Sequence, residues 1–364
     1  MGLGTRRTSG LSRTSRLSRT PGLSRTPELS RVIGTSRASG LFRAPGTSRT
    51  TPGTSCAASM GTTALGIAAA AIAGAALAAL GTVALGERDL VTTRIPVSVR
   101  DLPEPLAGLR IAQISDLHDT PFGPDGRDLV RAVEASRPDL IAFTGDILDR
   151  GTQQLIGLVS LARALVQIAP CVAVAGNHEG GTTLGLPLLH ALARAGVTVL
   201  RDEQISLELR GAVVRIAGVD DPHLHGGPIS RPYPVALDGE LMARSLERAG
   251  LGRVQTSART ASGASGDGDE GPLILLAHRP ELLDVYVDRG IDLVLTGHAH
   301  GGQWRVPGIG GLYAPNQGPF PRLTAGAHVR GRTTMIVSRG LKVRTLPPRL
   351  NNPPELVIAE LVAG

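Results

Sequence analysis

The sequence predicts an α/β fold in which two sheets pack face to face between layers of helices. Five apolar runs have the length of buried strands, and each ends in polar residues: LRIAQISD, DLIAFTGD, CVAVAGNH, LILLAHRP and DLVLTGHAH. Three further stretches have apolar residues at helical spacing: DGRDLVRAVEASRP, QLIGLVSLARALVQI and LPLLHALARAG. Strands that alternate with helices favour a layered sheet with functional residues at the strand ends.

A second group of apolar runs has no helices between its members: VTVL, QISLEL, VVRIAGV, TTMIVSRG and PELVIAEL. We interpret these runs as further sheet, and two sheets packed face to face and flanked by helices would accommodate both groups. The stretch QTSARTASGASGDGDEG, residues 255–271, follows neither a strand nor a helix period and is predicted to be a mobile loop.

Residues 1–60 are predicted to be a disordered tail. They repeat variations on GLSRTP and contain few large apolar residues, too few to offset the entropy of ordering the chain. Ten arginines and one acid give the tail a charge of +9, whereas the rest of the chain carries −2. The pI of about 10.5 therefore belongs to the tail. Its interpretations are a solvated tail, an electrostatic contact with anionic lipid, or residues upstream of a true start at Met60.

Residues 61–87 are predicted to form one transmembrane helix. From Ala64 to Leu85 the chain runs 22 residues without a charge, which as a helix is about 33 Å long and enough to cross a bilayer. Because the arginines precede this span, the positive-inside rule places the N-terminus in the cytoplasm and the rest outside the cell membrane. The alternatives are a cleaved signal peptide and a buried helix of a soluble protein.

Beyond the span, residues 88–107 are predicted to hold a linker and a first strand, and residues 108–364 the α/β domain. The two cysteines, Cys56 and Cys171, would then lie on opposite sides of a membrane, so no disulfide is predicted. Cys171 lies in the run CVAVAG and is predicted to be a small core residue.

The polar residues at the strand ends are of the types that bind metal ions. One such residue is commonplace, but five strands that all end this way indicate a shared site. Oxygen and imidazole ligands without a thiolate favour Mn, Fe, Zn or Co over a closed structural zinc. The ligands outnumber what one ion needs, which favours two ions that share a carboxylate. The candidates are Asp116, His118, Asp146, Asn177, His178, His278, His298 and His300.

The segment GHAHGG places two histidines one residue apart. In an extended segment such residues point the same way, so His298 and His300 are both expected to face the cluster, each toward a different ion. Gly301 and Gly302 are expected to leave room for backbone and substrate to approach closely.

The ordered motifs SDLH, GD, GNHE, H and GHAHGGQ resemble the calcineurin-like metallophosphoesterase superfamily over residues 108–360. Within it, GVDDP, PNQGPFPRL and LPPRLNNPPEL resemble the membrane-anchored bacterial phosphodiesterase branch, which is similar to UDP-2,3-diacylglucosamine pyrophosphohydrolase. The resemblance implies a four-layer α/β/β/α metallophosphoesterase sandwich and two metal ions.

The resemblance also implies a role for each residue of the cluster. His178 would bind no metal and would stabilise the transition state or protonate the leaving oxygen, a role that suits imidazole. The first ion would be held by Asp116, His118 and His300, the second by Asn177, His278 and His298, with Asp146 bridging the two.

Residues around the cluster have two interpretations each. Asp149 in GDILD is a candidate to orient a ligand or contact substrate, or else a helix N-cap or a carboxylate behind the ligands. In VDDPHLH, Asp220, Asp221, His223 and His225 favour a loop at the rim of the site over a further metal patch.

Four larger side chains are candidates for substrate contact. Arg279 and Arg322 suit a phosphate, since the guanidinium fork matches its geometry; the alternative is that they are surface arginines without such a role. Trp304 and Tyr313 are candidates for an apolar rim.

The sequence therefore predicts a membrane-tethered hydrolase that uses a metal-bridging hydroxide against a phosphodiester or diphosphate, with lipid-linked or nucleotide-linked phosphoesters as candidate substrates. The alternatives are a phosphomonoesterase of the phosphoprotein phosphatase type on the same metal centre, and a non-catalytic metal-binding scaffold. Nucleic-acid binding is not favoured, because the arginine-rich tail lacks interleaved aromatic residues.

Overall fold

The structure is a computed structural model, and it describes residue 74 and residues 89–225, 235–253, 271–343 and 348–364. The predicted tail lies outside the described residues, as do the predicted span except Gly74, and the predicted loop 255–271 except Gly271. Within the described part of the chain, no helix is both long and apolar enough to cross a bilayer.

The strands form two six-stranded sheets and two short hairpins. In chain order they are β1 (Val91–Val99), β2 (Arg110–Ile114), β3 (Leu140–Thr144), β4 (Cys171–Val174), β5 (Thr198–Val199), β6 (Glu203–Leu209), β7 (Ala212–Gly218), β8 (Leu273–Leu276), β9 (Leu293–Thr296), β10 (Arg305–Val306), β11 (Gly310–Gly311), β12 (Tyr313–Ala314), β13 (Gly318–Pro319), β14 (Gly326–Arg330), β15 (Thr333–Val337) and β16 (Glu355–Ala363).

Each sheet is mostly parallel with antiparallel strands at its margin. The first has the order β1-β16-β2-β3-β4-β5, and β16 runs antiparallel to β2 but parallel to β1. The second has the order β14-β15-β9-β8-β7-β6, in which β14 and β6 run antiparallel to their neighbours. The hairpins β10–β11 and β12–β13 lie between β9 and β14 in the chain.

Helices connect the parallel strands. The α-helices are α1 (Arg127–Ser136), α2 (Ile156–Leu165), α3 (Asn177–Gly180), α4 (Gly185–Arg194), α5 (Val235–Arg248) and α6 (Leu283–Tyr286). Short 3-10 turns occupy Glu104–Leu106, Pro124–Gly126, Pro222–His225, Pro280–Leu282 and His300–Gly302.

Three apolar cores separate the layers. The middle core joins the two sheets through side chains such as Val172 of β4 and Ile274 of β8. One outer core packs α1, α2 and α4 on the first sheet, and the other packs α5 and α6 on the second. The predicted sandwich of two sheets flanked by helices is therefore confirmed, and Cys171 lies in an outer core as predicted, 3% exposed.

Several elements were not predicted from the sequence, namely the short helices α3 and α6, the hairpin strands β10 to β13, the helix α5 and the edge strand β14. Helix α5 covers the outer face of the second sheet, where Met242 and Leu246 are fully buried. Strand β14 extends that sheet by one edge strand, and its residues are mostly exposed, so it lacks the apolar run that identified the other strands.

Candidate metal centre

The candidate ligands meet at one edge of the sandwich. Asp116 and His118 follow β2, Asp146 follows β3, and Asn177 begins α3 just after β4. From the other sheet, His278 follows β8, and His298 and His300 follow β9. All seven are at most 9% exposed, and the His178 side chain is 16% exposed. The structure thus brings together every predicted residue of the cluster.

The ligand atoms fall into two groups joined by one carboxylate. In each group the atoms lie within 4.8 Å of one another, and the groups are Asp116, His118 and His300, and Asp146, His278 and His298. A third combination with the same spacing, His118, Asp146 and His178, overlaps both groups. Asp146 Oδ2 lies 3.3 Å from His278 Nε2 and also 3.6 Å from His118 Nε2. The Asp146 carboxylate therefore lies between the two groups.

Several buried side-chain atoms of the cluster that could bind a metal ion have no hydrogen-bond partner in the described chain. They include Asn177 Oδ1, His118 Nε2 and His278 Nε2. The other nitrogen of His278, Nδ1, lies 2.8 Å from the Thr144 carbonyl and donates to it, which leaves Nε2 as the nitrogen that would bind an ion after losing its proton. Buried polar atoms are rarely left without a partner, so these residues fit a metal ion of the Mn, Fe, Zn or Co type.

The backbone at the cluster is unusual. The φ angles of Asp116, His118, Asp146, His298 and His300 lie between 47° and 64°, a left-handed region that side chains other than glycine seldom adopt. Such conformations concentrate at functional sites, where packing holds them in place.

The predicted extended conformation of residues 298–300 is wrong. Positive φ angles at His298 and His300 make this segment a turn. Contacts from other parts of the chain hold both backbone positions, since Asn352 Nδ2 donates to the His300 carbonyl at 2.8 Å and a second contact holds His298. The His298 N–H donates to the Asp116 carboxylate at 2.9 Å. The turn still delivers the two side chains to different groups of ligand atoms.

The predicted room at the glycine pair is confirmed for the backbone. A Cβ atom at Gly301 would lie 2.1 Å from Asn352 Oδ1, and one at Gly302 would lie 2.5 Å from the Cα of Gly311. Both glycines also have positive φ angles. Larger residues would therefore push apart the turn that carries His300.

Glu179 ties together the loops that carry two of the candidate ligands. Its carboxylate is 3% exposed and accepts four backbone N–H bonds. Three come from the loop after β3, where Asp146 N donates at 2.9 Å, and the fourth comes from Gly176 at 2.7 Å. Glu179 thus fixes Asp146 relative to Asn177.

His178 is backed by a carboxylate and a lysine. Asp149 Oδ1 lies 3.2 Å from His178 Nδ1 and 3.8 Å from His118 Nδ1. Lys342 Nζ donates to Asp149 Oδ2 at 2.8 Å. The imidazole of His118 and the ammonium of Lys342 hold the pKa of Asp149 well below its usual range. Asp149 is therefore a carboxylate behind the histidines, one of its predicted interpretations.

The histidines differ in their electrostatic environment. Burial lowers the pKa of His178 to about 4, and it also lowers those of His298 and His300. Burial alone would lower the pKa of His278 as well, but the carboxylates of Asp146 and Asp116 raise that pKa to about 10.

A pocket of about 210 Å³ opens onto the cluster. Its wall includes the exposed Arg150 and the buried Arg279, and it is completed by Asp146, Asn177, His178, His223, His298, His300, Pro315 and Asn316. The interpretation of Arg279 as a surface residue is wrong, because Asp221 pairs with its guanidinium at 2.5 and 3.0 Å in the interior. Arg322 is exposed and lines a different groove.

The VDDPHLH loop lies at the rim through His223, as predicted. Asp220, with Asp202 and His225, also forms a group with ligand spacing. Arginines already pair with these carboxylates, however: Arg201 with Asp220 at 2.6 Å, and Arg248 with Asp202. The charges of this group are therefore balanced by protein cations.

Sequence reasoning missed four residues of the site. Glu179 directly follows His178, and its place three residues after Gly176 is a helix-capping signal. Lys342 is the only lysine in the chain, a signal in itself. Arg150 follows Asp149 in a loop, and Asn316 comes from a hairpin, so neither carried a local signal.

Residues 109–302 match the profile of the family described as calcineurin-like phosphoesterase, which is more than half of the 364 residues. The chain is 30% identical to the uncharacterized metallophosphoesterase YkuE of Bacillus subtilis over 74% of this chain and 85% of that one. It is 28% identical to the phosphodiesterase YaeI of Escherichia coli over 70% and 83%. It is 27% identical to the UDP-2,3-diacylglucosamine pyrophosphatase LpxG of Chlamydia trachomatis over 56% and 66%. The chain therefore belongs to the calcineurin-like phosphoesterase family, and it is a hydrolase that acts on phosphoester bonds.

Proposed function

We propose that this hydrolase is a dinuclear-metal-dependent phosphodiesterase or pyrophosphohydrolase. The observation that carries the proposal is the position of the Asp146 carboxylate between two groups of buried ligand atoms. The proposed ligands of the first ion are Asp116, His118 and His300, those of the second are Asn177, His278 and His298, and Asp146 bridges the two.

Two metal ions, when bound here, would polarise a phosphoryl group and activate water for attack on it. The protein's own part is to place groups around the leaving oxygen. His178 Nδ1 lies 3.2 Å from Asp149 Oδ1. Because burial lowers the pKa of His178 to about 4 and leaves the ring neutral, the proposal requires that the negative charge of a bound phosphoryl group favour the protonated ring, from which Nε2 would give its proton to the leaving oxygen. Arg150 lies on the pocket wall, where its guanidinium suits a phosphate oxygen.

The proposed substrate class is a lipid-linked or nucleotide-linked phosphoester. Its support is the similarity to relatives named as a phosphodiesterase and as a UDP-2,3-diacylglucosamine pyrophosphatase. With it goes the proposal that residues 61–87 hold the enzyme in the cell membrane, with the N-terminus in the cytoplasm and the catalytic domain outside.

The test is hydrolysis of bis-p-nitrophenyl phosphate, compared with p-nitrophenyl phosphate, by the full chain in detergent. The protein is stripped of metal, reloaded with Mn, Zn, Fe or Co, and compared with Asp146→Asn and with the exposed control Asp125→Asn. We expect turnover of the diester that depends on metal, that survives in the control and that is lost in Asp146→Asn. Metal content measured in parallel should fall from two ions per chain only in Asp146→Asn.

Other outcomes point to other functions. Turnover of the monoester alone would indicate a phosphomonoesterase on the same centre. Two bound ions without turnover of either compound would indicate a metal-binding scaffold. His178→Ala should lose hydrolysis but keep both ions, and an unchanged rate in that variant would overturn the role given to His178.

A further inference from the structure

A group of large apolar side chains is exposed beside the candidate metal centre. Of the eleven large apolar side chains that are exposed in the described chain, five lie within residues 304–320. We call these five the apolar patch: Trp304 (41% exposed), Val306 (36%), Ile309 (63%), Tyr313 (48%) and Phe320 (69%). Exposed apolar residues are ordinary one at a time, but a cluster marks an interaction surface.

Backbone hydrogen bonds join the two hairpins that carry these residues. Phe320 N–H donates to the Leu312 carbonyl at 2.9 Å, and Leu312 N–H donates to the Trp304 carbonyl at 2.9 Å. Tyr313 pairs with Pro319 across the hairpin β12–β13. The patch is therefore carried by two adjoining hairpins.

The hairpin β12–β13 also forms part of the candidate catalytic pocket. Pro315 and Asn316, at its tip, line that pocket. Asn316 Nδ2 donates to Glu281 Oε1 at 2.9 Å and lies 3.4 Å from His298 Nε2. A surface that covers Tyr313 and Phe320, which lie in or next to this hairpin, therefore lies beside residues that line the pocket.

The charge of this region selects the chemistry of its partner. Residues 293–354 contain eight Lys and Arg residues and no Asp or Glu. Arg330 and Arg332 pair with acids of other segments, but Arg322, which lines a groove with Phe320, is exposed and forms no ion pair with any described residue. Apolar side chains flanked by arginine are typical of surfaces that lie on anionic lipid.

The chain enters the domain on this same edge. Because β16 is antiparallel to β2 and parallel to β1, the first residue of β1 lies where β2 ends, at the metal centre. Val91 N–H donates to the Pro354 carbonyl at 2.9 Å, and Trp304 Nε1 donates to the Pro348 carbonyl at 2.8 Å. Residues 86–90, which separate β1 from the charge-free run that ends at Leu85, reach at most about 18 Å when extended.

We propose that the apolar patch rests on an anionic lipid bilayer and holds the mouth of the metal centre at the membrane surface. Docking would bring the pocket close to lipid-linked phosphoesters in the membrane. This benefit to the enzyme rests on the proposed function. The docking itself needs no turnover, so the two are tested separately.

Trp304 is the only tryptophan of the chain, so its fluorescence reports on the patch alone. The full-length protein is reconstituted into vesicles of phosphatidylcholine, with or without phosphatidylglycerol, and part of the lipid carries brominated acyl chains. We expect bromine to quench Trp304 strongly in the anionic vesicles and weakly in the neutral ones, and high salt to reduce the difference.

Two variants separate the contributions of charge and apolar contact. Arg322→Ser should lower the ratio of docked to undocked molecules about fivefold, and Phe320→Ser should lower it about tenfold. The matched controls are Arg163→Ser and Ile156→Ser on α2, where Ile156 is 73% exposed; both should quench as the parent does. All four variants should hydrolyse soluble bis-p-nitrophenyl phosphate at the parent rate, which also shows that they fold.

Equal quenching in neutral and anionic vesicles, or quenching unaffected by Arg322→Ser and Phe320→Ser, would overturn the proposal. A blue shift that grows with protein concentration and is insensitive to bromine would instead assign the patch to a second copy of the chain. Failure of soluble hydrolysis with normal quenching would leave the docking in place and refute only the proposed function.

Discussion

Replacement of Glu179 by glutamine is expected to damage stability and metal binding together. The two carboxylate oxygens divide four backbone N–H donors between them. Oε1 accepts from Ile147 at 2.8 Å and Leu148 at 3.1 Å, and Oε2 accepts from Asp146 at 2.9 Å and Gly176 at 2.7 Å. Glutamine has the same shape, but its amide NH₂ group would replace one carboxylate oxygen. The N–H donors of that amide would then face two backbone N–H donors, and neither hydrogen bond could form.

The magnitude follows from the number of lost bonds. A hydrogen bond to a charged group contributes about 1.5 to 3 kcal/mol, so the loss of two gives a destabilisation of about 3 to 6 kcal/mol. No discount for solvent applies, because Glu179 is only 3% exposed. If the amide oxygen of the glutamine accepts from Ile147 and Leu148, the hydrogen bonds from Asp146 and Gly176 are lost. Asp146 would then be less firmly positioned, and the affinity for metal should fall as well.

The assay is the free energy of unfolding in urea, with the metal content of the folded protein measured beside it. Glu134→Gln, on the exposed side of α1, is the matched control and should change stability by less than about 0.5 kcal/mol. A Glu179→Gln protein within about 0.5 kcal/mol of the parent, and with its full metal content, would refute the clamp assigned to Glu179.

Three further predictions concern charge and burial. Asp149→Asn and Lys342→Met should each lower kcat for a phosphodiester about 10-fold to 100-fold with metal content unchanged. The double variant should lose no more activity than the worse single variant, and Lys342→Arg should recover part of the rate. Additive losses would contradict a chain of contacts from Lys342 through Asp149 to His178. The pKa of His278 is raised to about 10, so its contribution to the stability of the metal-free protein is complete below its ordinary pKa of 6.5 and is lost as pH rises through 10. Binding of metal at pH 8 should therefore release protons, which calorimetry in buffers of different ionisation enthalpy would measure. Metal binding without proton release would contradict the assignment of His278 as a ligand. Burial raises the pKa of the Cys171 thiol from 9.0 to about 12, so a Cys56→Ser protein should resist iodoacetamide at pH 8 until it is unfolded, and rapid alkylation of the folded protein would show that the core at β4 opens.

The strand ends and their candidate ligands could be predicted because both signals are local. A buried strand appears as a short apolar run, and the first polar residues after it lie at the edge of the sheet. Asp146 and His278 were found in this way. Strand β14 was missed for the opposite reason, since an exposed edge strand such as Gly326–Arg330 has no apolar run to mark it.

The detailed geometry of the site could not be predicted, because distant residues impose it. His298 adopts a positive φ angle while its N–H is bound to Asp116, which is 182 positions away. Glu179 serves a loop 31 to 33 positions earlier in the chain. Lys342 meets Asp149 across 193 positions. No window of sequence contains both partners of any of these contacts.

The direction of strand β16 determines which parts of the chain lie at the edge of the sandwich that carries the candidate ligands. If β16 ran parallel to β2, β1 beside it would begin at the far edge of the first sheet, a strand length away from the metal centre. With β16 antiparallel to β2, Val91 and Glu355 pair where β2 ends, and the loop before Glu355 supports Trp304 through the Pro348 carbonyl. The ligands, the apolar patch and the point of chain entry thus share one edge. If residues 61–87 anchor the chain as proposed, the short linker at that edge would leave the domain little freedom to turn its pocket away from the membrane, so docking through the patch would cost little orientational entropy.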